Sequence, residues 1–460
     1  METGGTIASR RATSNLGQAF SFVLLLVDIS RLVENLHLLT PTGIDRVELA
    51  YVQHFLTRAA TDEVGFVVTW PHFSAVLSAR DIAPIIDEVA LRWNAGRARP
   101  SDDGFELLCA ALNEPIDRSR VQPRRIGIRD DKRGVVDWQH MAKLWLRSAA
   151  HRIDARTIAE FRRKGGCYIH VSQFRLNRPE RFTWLTDASM RSVFMLHDLI
   201  PISHPEYCRP GEAVRHQGRV DTILKHASRV VTVSEATRRS LQSYGANENK
   251  VVPPVDAVTL GLTPIFLDHQ AIRPLESAVP YFVVVGTIEP RKNLLFLLTL
   301  WHRWIQDAGI PRARLVVVGR RGWENENILE LLDRSKALGS SVIEIASLSD
   351  AGMVALLKGA SGLLAPSFVE GYGLPVAEAL ALGTPVIASD TEAHREAGGV
   401  FADYLDPLDG RGWMRAFDDY LQQDSERRRE RIETLRKYRP QNWRSHLSKI
   451  EKIVDEIMLR

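Results

Sequence analysis

Cysteine is scarce in this chain of 460 residues, which contains three cysteines, Cys109, Cys167 and Cys208. They are far apart, odd in number and without the spacing of metal ligands, so neither a disulfide framework nor a zinc site is expected. This cysteine usage is typical of a reducing compartment. We therefore predict a cytoplasmic protein.

Long apolar runs are also missing. No run approaches the roughly 18 apolar residues that a membrane-spanning helix needs. The run from Phe20 to Val27 is too short, and it lacks the small-residue cleavage site of a signal peptide. Residues 1–17, with scattered glycine and serine, are expected to form a disordered tail.

Two further absences exclude classes of protein. The turn after the first predicted strand has Gly43 as its single glycine, so the Gly-rich fingerprint of a nicotinamide enzyme is missing. The net charge of +4 is small for this length. Composition therefore gives no indication of nucleic-acid binding.

What is present is the composition of a globular α/β protein. Hydrophobic residues make up 45% of the chain and charged residues 25%, and the length predicts two domains of roughly 200 residues each. Apolar runs predict parallel strands at residues 22–27, 64–69, 168–171, 191–196, 230–233, 281–285, 315–318, 342–345, 361–365 and 385–388.

The domain boundaries follow from breaks in this pattern. Pro253 and Pro254 interrupt regular structure, so we predict domains over residues 18–256 and 281–439, joined by a linker at 257–280. Residues 440–460 carry an apolar stripe at helical spacing and predict a final helix.

The stretch Pro366–Glu378 predicts a strand end, a tight loop and a short helix. Gly371 and Gly373 leave the backbone bare before the helix, where free N–H groups and the positive end of the helix dipole favour an anion. Glu370 and Glu378 can both reach the same crevice. Carboxylates suit sugar hydroxyls rather than phosphates, so the pattern suggests a nucleotide-sugar.

Individual residues mark the start and the end of that short helix. Pro375 suits the first helical position, because its missing N–H would be unpaired there. Gly383 suits the left-handed stop. The predicted helix is therefore about two turns long.

Polar residues follow two other predicted strands. His197 and Asp198 come directly after the strand at 191–196, at the edge where open α/β sheets bind ligands. Asp198 is a candidate for orienting the imidazole. Arg291 and Lys292 lie between the strand at 281–285 and a helix, where two cations would clamp a diphosphate and stabilise it as it leaves.

The residues from Phe368 to Asp390 resemble the E-x7-E segment of the family called glycosyl transferases group 1, which are retaining GT-B glycosyltransferases. Similar matches occur at His197-Asp198, Ser234–Thr237, Lys250–Asp256 and Gly286–Leu294. The resemblance implies two facing Rossmann-like domains, with acceptor bound by the first and donor by the second. It also implies that the last helix crosses back to the first domain.

The resemblance also implies roles for individual residues. It makes His197 a contact of the donor sugar and phosphate, and it places the loop at Ser349 beside the nucleotide base, although Ser349 could equally be a helix N-cap that binds no ligand. The catalytic candidates are His197, Glu370, Arg291 and Lys292. The donor-binding candidates are Gly286, Arg291, Lys292, Ser349, Gly371, Tyr372, Gly373, Leu374 and Glu378.

No metal and no cofactor besides the donor substrate is expected. Glu392, His394 and Glu396 lie near a Gly-Gly turn, but two carboxylates and one histidine on a loop are usually solvated, and the resembled enzymes work without a metal. Arg46 follows the first strand and is either part of an active-site loop or a surface charge.

A basic cluster lies between two predicted helical stretches, Ile82–Trp93 and Met141–Arg163. It could bind anionic lipid head groups, with tryptophans nearby, or form a solvated loop. Its members are Arg118, Arg120, Arg124, Arg125, Arg129, Lys132 and Arg133, followed by Trp138 and Trp145.

The segments Gly286–Asn293 and Gly319–Trp323 resemble those of bacterial mannosyltransferases that build surface polysaccharides. The resemblance implies GDP-mannose as first candidate donor, a glycan or lipid-linked oligosaccharide as acceptor, and peripheral attachment at the inner face of the membrane. A UDP-hexose transferase, a sugar-nucleotide epimerase or phosphorylase on a similar fold, and a catalytically idle binding protein stay open as alternatives.

Overall fold

The computed structural model describes residues 24–37, 41–58, 64–94, 103–116, 122–126, 138–309, 312–422 and 424–459. Within these ranges the strands form two sheets of seven strands each. The predicted tail at 1–17 lies outside the described residues.

The first sheet has the strand order β3-β2-β1-β5-β6-β7-β8. All its neighbours pair in parallel except β2 and β3, which form an antiparallel hairpin. Its strands are β1 (Leu24–Asp28), β2 (Val64–Thr69), β3 (Ser74–Ser78), β5 (Gly166–His170), β6 (Arg191–Leu196), β7 (Arg229–Thr232) and β8 (Val255–Ala257). The central strands are apolar and buried on both faces, as parallel strands covered by helices must be.

The second sheet has the order β14-β13-β12-β9-β10-β11-β4 and is parallel throughout. Its strands are β4 (Arg124–Ile126), β9 (Tyr281–Val285), β10 (Arg314–Val318), β11 (Val342–Ile345), β12 (Gly362–Ala365), β13 (Val386–Ser389) and β14 (Asp403–Leu405). The predicted strand positions in this half agree with the structure to within two residues.

The strand β4 corrects the predicted extent of the first domain. The range 18–256 placed this segment in the acceptor domain, but Arg124–Ile126 pairs with Ile343–Ile345 at the edge of the second sheet. Arg124 also forms an ion pair with Glu114 at 2.7 Å. This excursion has no sequence signal, because a strand of three residues with two arginines lacks an apolar run. The other domain boundaries stay predictions.

Helices cover both sheets. They are α1 (Ser30–Glu34), α2 (Gly43–Arg58), α3 (Ala79–Asn94), α4 (Asp103–Asn113), α5 (Trp138–Ala150), α6 (Ala155–Lys164), α7 (Thr183–Asp187), α8 (Ile200–Ser203), α9 (Glu212–His226), α10 (Glu235–Asn247), α11 (Pro264–Leu267), α12 (Leu294–Ala308), α13 (Glu326–Arg334), α14 (Asp350–Gly359), α15 (Leu374–Ala381), α16 (Glu392–Gly398), α17 (Gly410–Leu421), α18 (Glu426–Leu435) and α19 (Trp443–Met458). None of these helices is both long and apolar enough to cross a membrane.

The last helix, α19, returns to the first domain as predicted. Its buried stripe includes Leu447, Ile450 and Ile457, and it packs on α2, β5 and β6. The Tyr51 hydroxyl lies 2.8 Å from Nε2 of His446. The helix therefore holds the second half of the chain against the first, and the GT-B arrangement of two α/β domains with a C-terminal crossing helix is confirmed.

The carboxyl ends of the two sheets face each other across a crevice. His197, after β6, brings its carbonyl oxygen so close to Gly371, after β12, that a Cβ added to the glycine would lie 2.5 Å from it. Apart from Arg46 and Glu378, which lies in the second turn of α15, every candidate site residue follows a strand whose carboxyl end points to this crevice, or begins the next helix.

Candidate active site

The glycine loop connects β12 to α15 at the floor of the crevice. Helix α15 begins at Leu374, one residue before the predicted start, and Pro375 lies in its first turn. Gly373 caps it with φ 103°, and Gly383 follows its end with φ 76°, a region that L side chains rarely adopt. Gly371, Gly373 and Leu374 therefore lie at the helix N-terminus as predicted, and Tyr372 between them is buried.

Arg291 and Lys292 both contact Glu370 beneath this loop. Arg291 Nη1 donates to Glu370 Oε2 at 2.7 Å, and Lys292 Nζ donates to Oε1 at 2.5 Å. Burial alone would raise the pKa of Glu370, but the two cations outweigh burial and hold that pKa well below its usual range. Glu370 is therefore ionised, and its single negative charge offsets part of the charge of the two cations.

Two neighbours shape this cluster. Burial lowers the pKa of Lys292, and Glu370 opposes that shift. A Cβ on Gly286, whose φ is 141°, would lie 3.1 Å from Cε of Lys292, so glycine leaves room for the lysine chain. Glu289 is also buried and forms an ion pair with Arg291. A cavity of about 20 Å³, large enough for one water, lies beside Lys292, Glu370 and His394.

Glu378 belongs to a second charged cluster that joins the domains. Arg46 of α2 donates two hydrogen bonds of 2.6 Å to Asp350 at the start of α14, which lies 304 residues further along the chain. Burial raises the pKa of Glu378 to about 7, because the ionic attraction of Arg46 offsets only part of it. Arg46 is thus paired with Asp350 rather than a free surface charge, and no motif in the sequence pointed to that partner.

Ser349 caps helix α14, since its hydroxyl accepts a hydrogen bond from Gly352 N at 3.0 Å. This agrees with the simpler of the two predicted roles. A contact with the nucleotide base stays a prediction.

His197 is buried, and its ring is oriented by the backbone. Nε2 lies 2.7 Å from the carbonyl oxygen of Val171; because a carbonyl only accepts, Nε2 carries the hydrogen and Nδ1 has the lone pair in the neutral ring. Burial lowers the pKa of His197, which favours that neutral form. The suggested role of Asp198 in orienting the ring is wrong, because its carboxylate accepts from Ile200 N instead, at 3.0 Å.

The first domain also binds the glycine loop directly, a contact that the sequence did not predict. Ser234 Oγ donates to the Gly371 carbonyl at 2.6 Å, and Thr237 Oγ1 donates to it at 3.2 Å. Ser234 also caps α10 by accepting from Thr237 N, which is the role that its position before the helix predicted. The first domain therefore holds the Gly371 carbonyl group, which lies just before the N-terminus of α15.

Helix α16 corrects the expectation of solvation for His394 and Glu396, whereas Glu392 is exposed as expected. Glu396 accepts hydrogen bonds of 2.8 Å from Glu235 N across the interface. His394 is 1% exposed and its Nδ1 contacts the Ser389 carbonyl. Among the residues that the structure describes, no group of three or more His, Cys, Asp or Glu could hold a metal ion. Metal independence stays a prediction.

Two facing α/β domains, with a basic and carboxylate-lined crevice at the carboxyl ends of their strands, form a GT-B fold. Residues 268–404 match the model of the family Glycosyl transferases group 1.

Known proteins resemble the chain in sequence and in fold. It is 26% identical over 261 residues to the serotype-specific mannosyltransferase WbdA of Escherichia coli, and the match covers 53% of the chain but 32% of WbdA. It is 27% identical to the O-antigen chain mannosyltransferase B of the same species, over 52% of the chain and 68% of the relative. An α,α-trehalose 6-phosphate synthase from Burkholderia multivorans superposes with a TM-score of 0.55 at 12% identity, over 95% of the chain and 97% of that protein, which supports the fold alone.

Proposed function

We propose that the protein is a retaining, metal-independent hexosyltransferase that moves mannose from GDP-mannose to a hydroxyl of a glycan or lipid-linked oligosaccharide. The observation that carries this proposal is the partly buried contact of Arg291 and Lys292 with Glu370 beside the N-terminus of α15. The names of the two relatives support mannose as the sugar and surface polysaccharide as the product.

Donor binding follows from the charges of the cluster. The diphosphate lies against the free N–H groups from Gly371 to Leu374 and takes Arg291 and Lys292 as partners. Glu370 then exchanges its cations for hydroxyls of the donor sugar. Glu378 accepts hydrogen bonds from the ribose. Both carboxylates thus bind neutral hydroxyls, and the cations bind the phosphates.

The chemical step is a displacement on one face of the sugar. The bond between the anomeric carbon and the phosphate oxygen breaks, the acceptor oxygen bonds to the same face of that carbon, and its proton passes to the leaving phosphate. Arg291 and Lys292 stabilise the charge that develops on the diphosphate. His197 lies beside the donor sugar. The protein contributes positioning and electrostatic stabilisation.

A panel of nucleotide-sugars, incubated without acceptor, tests the donor. We expect slow release of nucleoside diphosphate, fastest from GDP-mannose, because water replaces the acceptor in the same step. Preferential hydrolysis of a UDP-hexose would move the assignment to that donor. Conversion of the donor to its epimer, with no diphosphate released, would contradict the transferase.

Replacing Glu378 with glutamine separates stability from donor binding. The folded carboxyl has a pKa of about 7 against its ordinary 4.5, so the unfolded chain ionises first. Folding stability is therefore lost as pH rises from about 4.5 to 7. Glu378→Gln removes that loss, and we expect the free energy of unfolding to rise by about 3 kcal/mol at pH 8 and to change little at pH 4.

The same variant is expected to bind nucleotide-sugar more weakly, since the amide accepts less strongly than a carboxylate. In the wild type, affinity should rise between pH 6 and 8, as Glu378 ionises beside Arg46 and Asp350. Calorimetric titration with GDP-mannose measures both effects, with the exposed Glu248→Gln as control. Equal affinity of the variant and wild type at pH 8 would remove Glu378 from the donor site.

The acceptor and its location are part of the same proposal. A lipid-linked acceptor requires peripheral attachment at the cytoplasmic face of the membrane. Trp145 and Leu146 on α5 are 46% and 61% exposed, which supports such contact, whereas Arg124 and Arg125 already lie near Glu114 and Glu344. The other cations of the predicted cluster, Arg118, Arg120, Arg129, Lys132 and Arg133, lie outside the described residues.

Sedimentation with anionic vesicles tests this attachment. We expect binding at low salt that weakens at high salt. Failure to bind at low salt would remove the membrane from the proposal and leave the donor chemistry untouched.

A further inference from the structure

The loop after β5 is held in a strained conformation beside His197. Gln173 has φ 57° and Arg175 has φ 61°, in the left-handed region that favours glycine. Residues kept there cluster at functional sites, where the surrounding structure enforces the conformation. His170 of β5 pairs with Phe194 of β6. Gln173 comes three residues after His170, and His197 comes three residues after Phe194. The loop therefore lies at the crevice edge of the first sheet.

Several contacts enforce the strained loop. Arg175 Nη1 donates to the Thr69 carbonyl at 2.7 Å, and the same guanidinium forms an ion pair with Glu34 at 3.2 Å. Nε2 of His170 lies 3.2 Å from the Phe174 carbonyl. These contacts fix the backbone on both sides of Gln173 but leave its own side chain out.

Two polar side chains in this loop are buried without a partner. Gln173 is 8% exposed and Ser172 is 2% exposed, and neither Gln173 Nε2 nor Ser172 Oγ has a hydrogen-bond partner among the described residues. Most buried polar groups in folded proteins are hydrogen-bonded, so an unpaired amide needs an explanation. The preceding residue, Val171, supplies the carbonyl that orients His197. The unpaired groups and the imidazole are thus placed by one short loop.

We propose that Gln173 binds a hydroxyl of the acceptor sugar. The amide N–H donates to the hydroxyl oxygen, and the His197 lone pair at Nδ1 can accept the hydroxyl hydrogen. A hydroxyl both donates and accepts, so it matches this pair of groups, whereas a phosphate offers only acceptors to the lone pair. Arg175, the cation nearest to Gln173 along the chain, already has Glu34 as a partner, which favours a neutral ligand. The inference rests on the proposed transferase function.

Kinetics with GDP-mannose as donor and octyl α-D-mannopyranoside as acceptor probe tests this. Gln173→Ala should raise the KM for the probe about tenfold, the effect of losing one neutral hydrogen bond, and leave slow hydrolysis of the donor unchanged. Gln173→Gly should cause the same rise in KM without loss of folding stability, because glycine adopts the positive φ freely. A merely structural side chain would not separate acceptor from donor kinetics in this way.

Ser189→Gly provides the matched control. Ser189 also has a positive φ, 54°, but it precedes β6 at the opposite edge of the sheet, so relief of its strain should leave both reactions unchanged. If both Gln173 variants hydrolyse the donor and keep the wild-type KM for the probe, the inference is overturned. Absence of donor hydrolysis in the wild type would instead contradict the proposed function.

Discussion

Replacing Arg291 or Lys292 with alanine lowers turnover at saturating donor by about a hundredfold or more. Each side chain is a partly buried charged donor beside the helix N-terminus, and one such group contributes roughly that factor when charge develops in the transition state. The loss should appear chiefly in kcat, because the charge on the leaving diphosphate grows as the sugar bond breaks. Release of nucleoside diphosphate at several donor concentrations measures it.

The ion pairs of Arg291 and Lys292 with Glu370 add an effect on folding stability to this experiment. Removal of either cation leaves Glu370 with a single partner, so some loss of folding stability accompanies the loss of turnover. Arg303→Ala, an arginine on α12 that is 67% exposed, controls for the change of charge. Wild-type turnover of either Arg291→Ala or Lys292→Ala at saturating donor would refute the phosphate role.

A methyl group at position 371 is expected to separate the domains. The added Cβ would lie 2.5 Å from the His197 carbonyl oxygen and 3.2 Å from Cβ of Asp198, and a clash with backbone cannot be relieved by a side-chain rotation. The bonds of Ser234 and Thr237 to the Gly371 carbonyl would be lost with it. We expect Gly371→Ala to lower turnover about a hundredfold, since a shift of about 1 Å at the reacting groups has that effect.

Gly218→Ala is the matched control for this change. Gly218 lies in α9, and its added Cβ would have its nearest neighbour at 3.7 Å. Its turnover should equal that of the wild type, and helix propensity favours the alanine. Thermal unfolding of both variants shows whether turnover is lost because the domains are displaced or because the fold is damaged. A Gly371→Ala protein with unchanged turnover would mean that the domains need not meet at this loop during catalysis.

The parts of the site that the sequence predicted lie on neighbouring strands of one sheet. Arg291 follows β9 and Glu370 follows β12, and adjacent parallel strands bring their carboxyl ends together. The motifs therefore placed Arg291 and Glu370 at the same edge of the sheet, but their direct contact was not predicted. The N-cap at Ser234 was predictable for a similar reason, since its partner Thr237 lies three residues away.

The parts that could not be predicted join distant elements. Arg46 meets Asp350 across 304 residues and two domains, and no periodicity encodes how two rigid domains face each other. The wrong role for Asp198 has the opposite origin: adjacency in sequence suggested a contact with His197, whereas the ring is held by a carbonyl of the neighbouring strand's loop. The strand β4 was missed because its pairing depends on a free edge of the second sheet.

The anomeric configuration of the product tests the central claim most directly. Proton NMR of the sugar transferred from GDP-α-mannose, followed from the start of the reaction, reports which face of the anomeric carbon the acceptor oxygen occupies. The account predicts an α-linked product from the wild-type protein, with formation strongly slowed in Arg291→Ala. A β-linked product would contradict it, because displacement on one face by the acceptor beside the leaving phosphate cannot invert that carbon.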